Sequence, residues 1–225
     1  MFFKSTSSYL KISIASLVLT NVFLLVMALI FNWRTYDQMM VFWTENLVIG
    51  LITVFKIPFC RPIDPEQESH YPVPRSWIRW VAIPFFLLHF LLFSAMHLAF
   101  ITMIFYEETY QYARSHELQL FPEINYSALM FGFIALLVNH SVSYFLHFIK
   151  KKEYLRYKID EMMFIPYKRL IFVHFIVLSF GVGIAFFQLE SAASIVIFYL
   201  AKIWIDYKRH RAEHTSQTNS VFTWF

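Results

Sequence analysis

The sequence predicts an all-α membrane fold, six transmembrane helices in a single integral domain over residues 1–225, from its composition, its six apolar runs and the placing of its positive charges. Of the 225 residues, 58% are hydrophobic and 15% charged, and the mean hydropathy is positive. A water-soluble domain of that composition would expose large apolar patches, so the lipid bilayer is the expected solvent. One crossing takes roughly 20 apolar residues, which leaves this chain length for six and little else. The formal charge of +4 does not point to nucleic acid, because the cations fall between the apolar runs, where they set topology. Cys60 is the only cysteine, which excludes a disulfide framework and a Cys-x-x-Cys site.

The first run, 10–31, follows Lys4 and begins beside Lys11; it is too long for a cleaved leader and reads as a retained signal anchor. The others span 39–59, 77–106, 127–149, 166–187 and 192–207. The third is long enough to tilt, and the last is short. Gly50, Gly132, Gly181 and Gly183 all lie inside runs, where small residues allow close helix approach. Pro58, Pro62, Pro65, Pro72 and Pro74 make the segment between the second and third runs an irregular connector. Pro166 suits the first turn of the fifth helix, and Pro84 bends the third. The 188–191 connector is so short that helices five and six are antiparallel neighbours.

With six crossings, one side of the membrane holds Lys4, Lys11, Lys56, Arg61, Arg75, Arg79, Lys150, Lys151, Lys152, Arg156, Lys158, Lys168, Arg169 and the basic C-terminal segment. The other side holds Arg34 and Arg114. The positive-inside rule then gives an N-in, C-in protein of the cell (cytoplasmic) membrane, and removing one helix would scramble the alternation.

Ionisable side chains in hydrocarbon cost at least about 2.5 to 3.5 kcal/mol each and mark functional sites by default. This chain places Glu45 and Asn46 in the second run, His89 and His97 in the third, His140 and His147 in the fourth, His174 in the fifth, and Lys202 and Asp206 in the sixth. Depth counted from the middle of each run sets His89, His140, His174 and Lys202 in one layer, with Glu45 and Asn46 on its outer side. His140, Ser143 and His147 share a helix face, and Lys202, Asp206 and His210 recur every four residues. Lys202 needs a partner in hydrocarbon, and Asp206 is within reach.

Several readings stay open. His140, His174, Asp206, His210 and His214 are candidate ligands for Zn or Fe, since imidazole and carboxylate suit both metals. Lys202 opposes that reading by bringing positive charge into the layer. The buried groups otherwise form a proton or ion path, because histidine titrates near neutral pH. An intramembrane enzyme with a histidine base acting on lipid or peptide is a third reading, without a supporting nucleophile motif. A different class is a non-catalytic subunit that packs against a membrane partner or a second copy, its polar groups setting helix register. For any single histidine, a helix-to-helix hydrogen bond is the ordinary role, worth about 0.6 to 2 kcal/mol. Tyr167 and Arg169, beside Pro166, read as lipid-headgroup contacts.

The chain resembles a bacterial family of multi-pass membrane proteins of unknown function. The likeness rests on Trp43-Thr44-Glu45-Asn46-Leu47-Val48-Ile49-Gly50, on His89 and His97, on Asn139-His140-Ser141, on Pro166-Tyr167-Lys168-Arg169 with His174, and on Lys202, Asp206, His210, Glu213 and His214. Leu98 and His147 depart from the family pattern. The resemblance implies the same membrane fold and the same polar positions, and implies no activity.

Overall fold

A computed structural model describes residues 2–61, 77–105, 124–187 and 191–215. Six α-helices account for nearly all of these: α1 (Phe2–Ile30), α2 (Thr35–Lys56), α3 (Ile78–Ile104), α4 (Tyr126–Ser143), α5 (Ile159–Phe187) and α6 (Ser191–Thr215). A π-helical turn, Tyr144–Lys150, prolongs α4. Four segments, Ser8–Ile30, Thr35–Phe59, Ile78–Ile104 and Tyr126–Lys150, are long and apolar enough to cross a membrane.

Local chemistry sets several helix ends. Asn32 adopts φ 48°, the left-handed conformation that asparagine tolerates, and Trp33 N–H donates back to the Ala28 carbonyl at 2.9 Å, which closes α1 in a Schellman turn. Asp37 then accepts from the Arg34 backbone N–H at 2.9 Å and pairs with the Arg34 guanidinium at 2.9 Å, capping α2. The Asn125 side chain accepts from Ala128 N–H at the start of α4.

Three helices run past their apolar stretches: α1 begins at Phe2, α5 at Ile159, and α6 continues to Thr215. Apolarity marks the portion of a helix that lipid can cover, and backbone hydrogen bonding continues beyond it. Pro166 accordingly lies inside α5 instead of in its first turn. Pro84 lies inside α3.

Side-chain packing fixes the relative direction of the helices. Ile57, Ile78, Phe148 and Ile159 share one core cluster, which gathers the end of α2, the start of α3, the end of α4 and the start of α5. A backbone bridge ties Arg61 to Lys158 at the same end. At the opposite end Trp33, Ala128 and Ile195 share a second cluster, and Tyr36, Ile101 and Phe105 a third. Consecutive helices are therefore antiparallel.

The second helix is the hub, packed against α3, α4, α5 and α6, while α1 lies against α4 and α6. Two glycines permit close approaches. A Cβ on Gly50 would overlap the Phe90 ring, and one on Gly132 would stand 2.8 Å from Val41, both well inside van der Waals contact.

Candidate functional site: a buried charge cluster on Glu45

Glu45 sits halfway along α2, with its side chain 3% exposed. Its Oε1 is 2.7 Å from Arg169 Nη2 of α5 and 3.2 Å from His140 Nε2 of α4. Lys202 Nζ of α6 lies 3.1 Å from Oε2 and 3.3 Å from Oε1. Lys202 also pairs with Asp206, one turn further along α6. Four helices thus meet on one carboxylate.

The cluster closes electrically. Among the described residues, Glu45 and Asp206 supply two negative charges and Arg169 and Lys202 two positive ones, and these sum to zero with His140 neutral. A carboxylate engaged by two cations has no proton to give, so His140 presents Nε2–H to Glu45 and keeps the lone pair on Nδ1. Neutrality is what makes burial in a low dielectric tolerable, because each ion alone would carry a desolvation cost of several kcal/mol. The Phe42 ring, 5.2 Å below the Lys202 ammonium, adds a cation–π contact on the apolar side.

Counting depth from run midpoints separates Glu45 from His140 and Lys202, whereas the structure brings them into contact. Helix midpoints ignore side-chain length, and glutamate, lysine and arginine each reach several ångströms along the bundle. Arg169 is a second correction. The sequence reading places it at a headgroup, but α5 starts ten residues earlier, at Ile159, so Arg169 lies nearly three turns into the helix and turns inward. Tyr167 instead packs among Phe86, Phe90 and Phe93.

The remaining predicted positions fall into separate contacts. His89 Nδ1 is 2.9 Å from the Tyr167 hydroxyl on the exposed side of α3. His97 and His174 pack ring edge to ring face, with centroids 5.3 Å apart, and Phe100 closes over His174. Asn46 is buried beside the cluster. His140 and His147 meet different residues among those described: His147 Nε2 meets Ser13 Oγ of α1 at 2.8 Å, because the π turn beginning at Tyr144 changes the angular spacing along the helix. One turn further along α1, Ser16 donates to Asn139.

Ser13, His147 and Glu153 have the residue types of a hydrolase triad, but the geometry is that of a helix-to-helix bond. The Ser13 hydroxyl hydrogen is directed at the Leu10 carbonyl, so Oγ accepts from His147. His147 Nδ1 stands 3.9 Å from Glu153, beyond hydrogen-bond range. Among the described residues no group of three or more His, Cys, Asp and Glu side chains is placed to hold a metal ion. The side chains of His210 and His214 lie outside the described residues.

Sequence reasoning missed Arg169, Ser13 and Ser16, and also Gln38 and Tyr199, which are buried between α2 and α6. Uncharged polar residues give no strong signal in an apolar run; their spacing does, since Gln38 and Glu45 lie on one face of α2, and Tyr199, Lys202 and Asp206 on one face of α6.

A family model described as a family of unknown function (DUF6498) matches residues 4–221. Neither the curated proteins nor the solved structures provide a match to this chain.

Proposed function

The chain belongs to this family of unknown function, and we propose that it is a six-span protein of the cytoplasmic membrane that handles protons through the Glu45 cluster. The observation that carries the reading is the carboxylate of Glu45, buried and shared by basic groups from three other helices. Within this set His140 is the group able to change charge without breaking an ion pair. An added proton goes to Nδ1, and the cluster moves from neutral to +1. The new imidazolium competes with Lys202 for Glu45, and Lys202 already has Asp206 as its alternative partner. Proton uptake would therefore shift Lys202 toward Asp206 and the basic end of the bundle.

Six crossings agree with an uncharged stretch of eighteen residues, 170–187, within α5. Moving Arg169 from the loops into the cluster leaves the charge asymmetry intact. Lys56, Arg61, Arg79, Lys150, Lys151, Lys152, Arg156 and Lys158 still flank the end where α2 and α4 finish, and Arg34 at the other end is paired with Asp37. Tags on the two termini should report the cytoplasmic side together; tags on opposite sides would overturn the topology.

The functional test is proton flux into liposomes carrying the purified protein and an internal pH dye, under an imposed membrane potential. Wild type should conduct, and His140→Gln should lower the flux by about 10² or more while leaving the fold intact. Equal flux in the two proteins would rule this reading out.

A second reading is a non-catalytic subunit whose charge cluster fixes helix register. It is favoured by His89 and Tyr167, a polar pair on the outward face of α3 where another membrane protein or a second copy would dock. Loss of a co-purifying subunit or of a dimer in His89→Phe, with no flux in wild type, would favour it over proton handling.

A further inference from the structure

Outward from Glu45, toward the end of the bundle that holds Arg34 and Asp37, the α2–α6 interface is polar in a way its packing does not explain. Gln38 and Tyr199 are each 1% exposed. The Tyr199 hydroxyl faces the Gln38 amide and lies within electrostatic reach of Glu45, yet among the described residues neither the hydroxyl nor either atom of the amide makes a hydrogen bond of good geometry. The Trp33 indole N–H, in the same packed cluster as Tyr199, also lacks a partner among the described residues. So does the Asn46 amide nitrogen, next to Glu45 in sequence.

A buried polar atom without a good hydrogen bond is costly, so a stable protein does not collect several of them in one place unless something polar satisfies them. Their placing is linear. Gln38 and Glu45 are seven residues apart on one face of α2, a rise of about 10 Å. Tyr199 lies between them from α6, one turn before Lys202. A separation of about 10 Å takes roughly three water molecules at ordinary O–H···O spacing, and buried waters satisfy such groups with two to four hydrogen bonds each.

We propose that an internal chain of water runs between α2 and α6 from Gln38, past Tyr199, to Glu45, and that it is the route by which protons reach the charge cluster from the Arg34–Asp37 end. The ligand is water and the species carried is the proton, passed along hydrogen bonds with the Tyr199 hydroxyl as one station. No covalent chemistry is needed. The proposal rests on the proton-handling reading, and it extends that reading by naming an entry side and two residues outside the cluster. On the far side of Glu45 the path continues through Lys202 and Asp206 toward the basic end.

Radiolytic hydroxyl footprinting of the wild-type protein in liposomes tests this without a mutation, because radicals form from internal waters and oxidise what lies against them. Tyr199 should be oxidised, whereas Met39 should not, although its thioether is the more easily oxidised group. Met39 is fully buried in an apolar cluster with Phe42 and Ile101, on a different face of α2 from Gln38. The Tyr199 signal should fall severalfold in Gln38→Leu, and Tyr199→Phe should slow proton flux severalfold with an unchanged unfolding midpoint. A Tyr199 as inert as Met39 would overturn the water chain. Oxidised Tyr199 in a protein that carries no proton flux would uphold the hydrated column and overturn its role as a proton route, so the two failures are distinguishable.

Discussion

α2 and α3 lie side by side, and both carry ionisable groups at membrane depth, yet they treat them oppositely. In the most apolar window of α2, 61% of the residues are buried, against 22% in α3. Glu45 of α2 meets partners from α4, α5 and α6. His89 and His97 of α3 each meet one aromatic neighbour from α5. The difference teaches that a polar residue in an apolar run gains its role from the number of helices it faces. A hub helix can gather opposite charges and cancel them, whereas a helix with one face on lipid can support only a side chain that stays neutral or is shielded by aromatic rings.

The strongest way to break this comparison is to remove the hub carboxylate. Glu45→Ala removes the anion that Arg169 and Lys202 share, and should cost about 3 to 5 kcal/mol in equilibrium unfolding in mixed detergent. Adding Arg169→Met should recover part of that loss, with a coupling of up to about 3 kcal/mol; full additivity would mean that the two groups do not share a cluster. Gly50→Ala tests the seam between the two helices. It drives a methyl into the Phe90 ring and should cost about 1 to 3 kcal/mol by the same measurement. On the lipid-facing side, His89→Phe removes one hydrogen bond to Tyr167 and should cost less than about 1 kcal/mol. A loss at His89 as large as that at Glu45 would erase the distinction between the helices.

Cys60 offers a smaller, independent check on how tightly the basic end is closed. Burial, with the Glu161 carboxylate nearby and against the opposing pull of Lys56, pushes its thiol up to about 12, so it stays protonated at ordinary pH. Alkylation by a soluble maleimide at pH 8 should be negligible in the folded protein and rapid after denaturation. Rapid labelling of the folded protein would show that the core cluster around Ile57 and Phe148 opens.

The helices were legible in the sequence because a run of apolar residues has no other stable form in lipid. Their ends were less so: the polar first turn of α5, with Asp160 and Glu161, and the basic tail of α6 carry no hydropathy signal. That gap hid the most consequential residue. With α5 started at Pro166, Arg169 looks like an interfacial cation; with α5 started at Ile159, it points at Glu45. Glu45, His140, Lys202 and Asp206 stood out by charge alone, but their convergence on one carboxylate depends on helix rotations that one sequence does not specify. Gln38 and Tyr199 were invisible for a different reason, since neither is charged and both have ordinary roles in packing.

The most direct test of the central claim is the protonation of His140 itself, followed by nitrogen NMR of histidine-labelled protein in bilayers, with His140→Gln to assign the signal. If the cluster handles protons, this imidazole takes one up within the pH range over which the protein stays folded, and the Lys202 side-chain signal shifts with it. An imidazole that stays neutral throughout that range, with Lys202 unmoved, would contradict proton handling and leave the cluster as a fixed lock between helices.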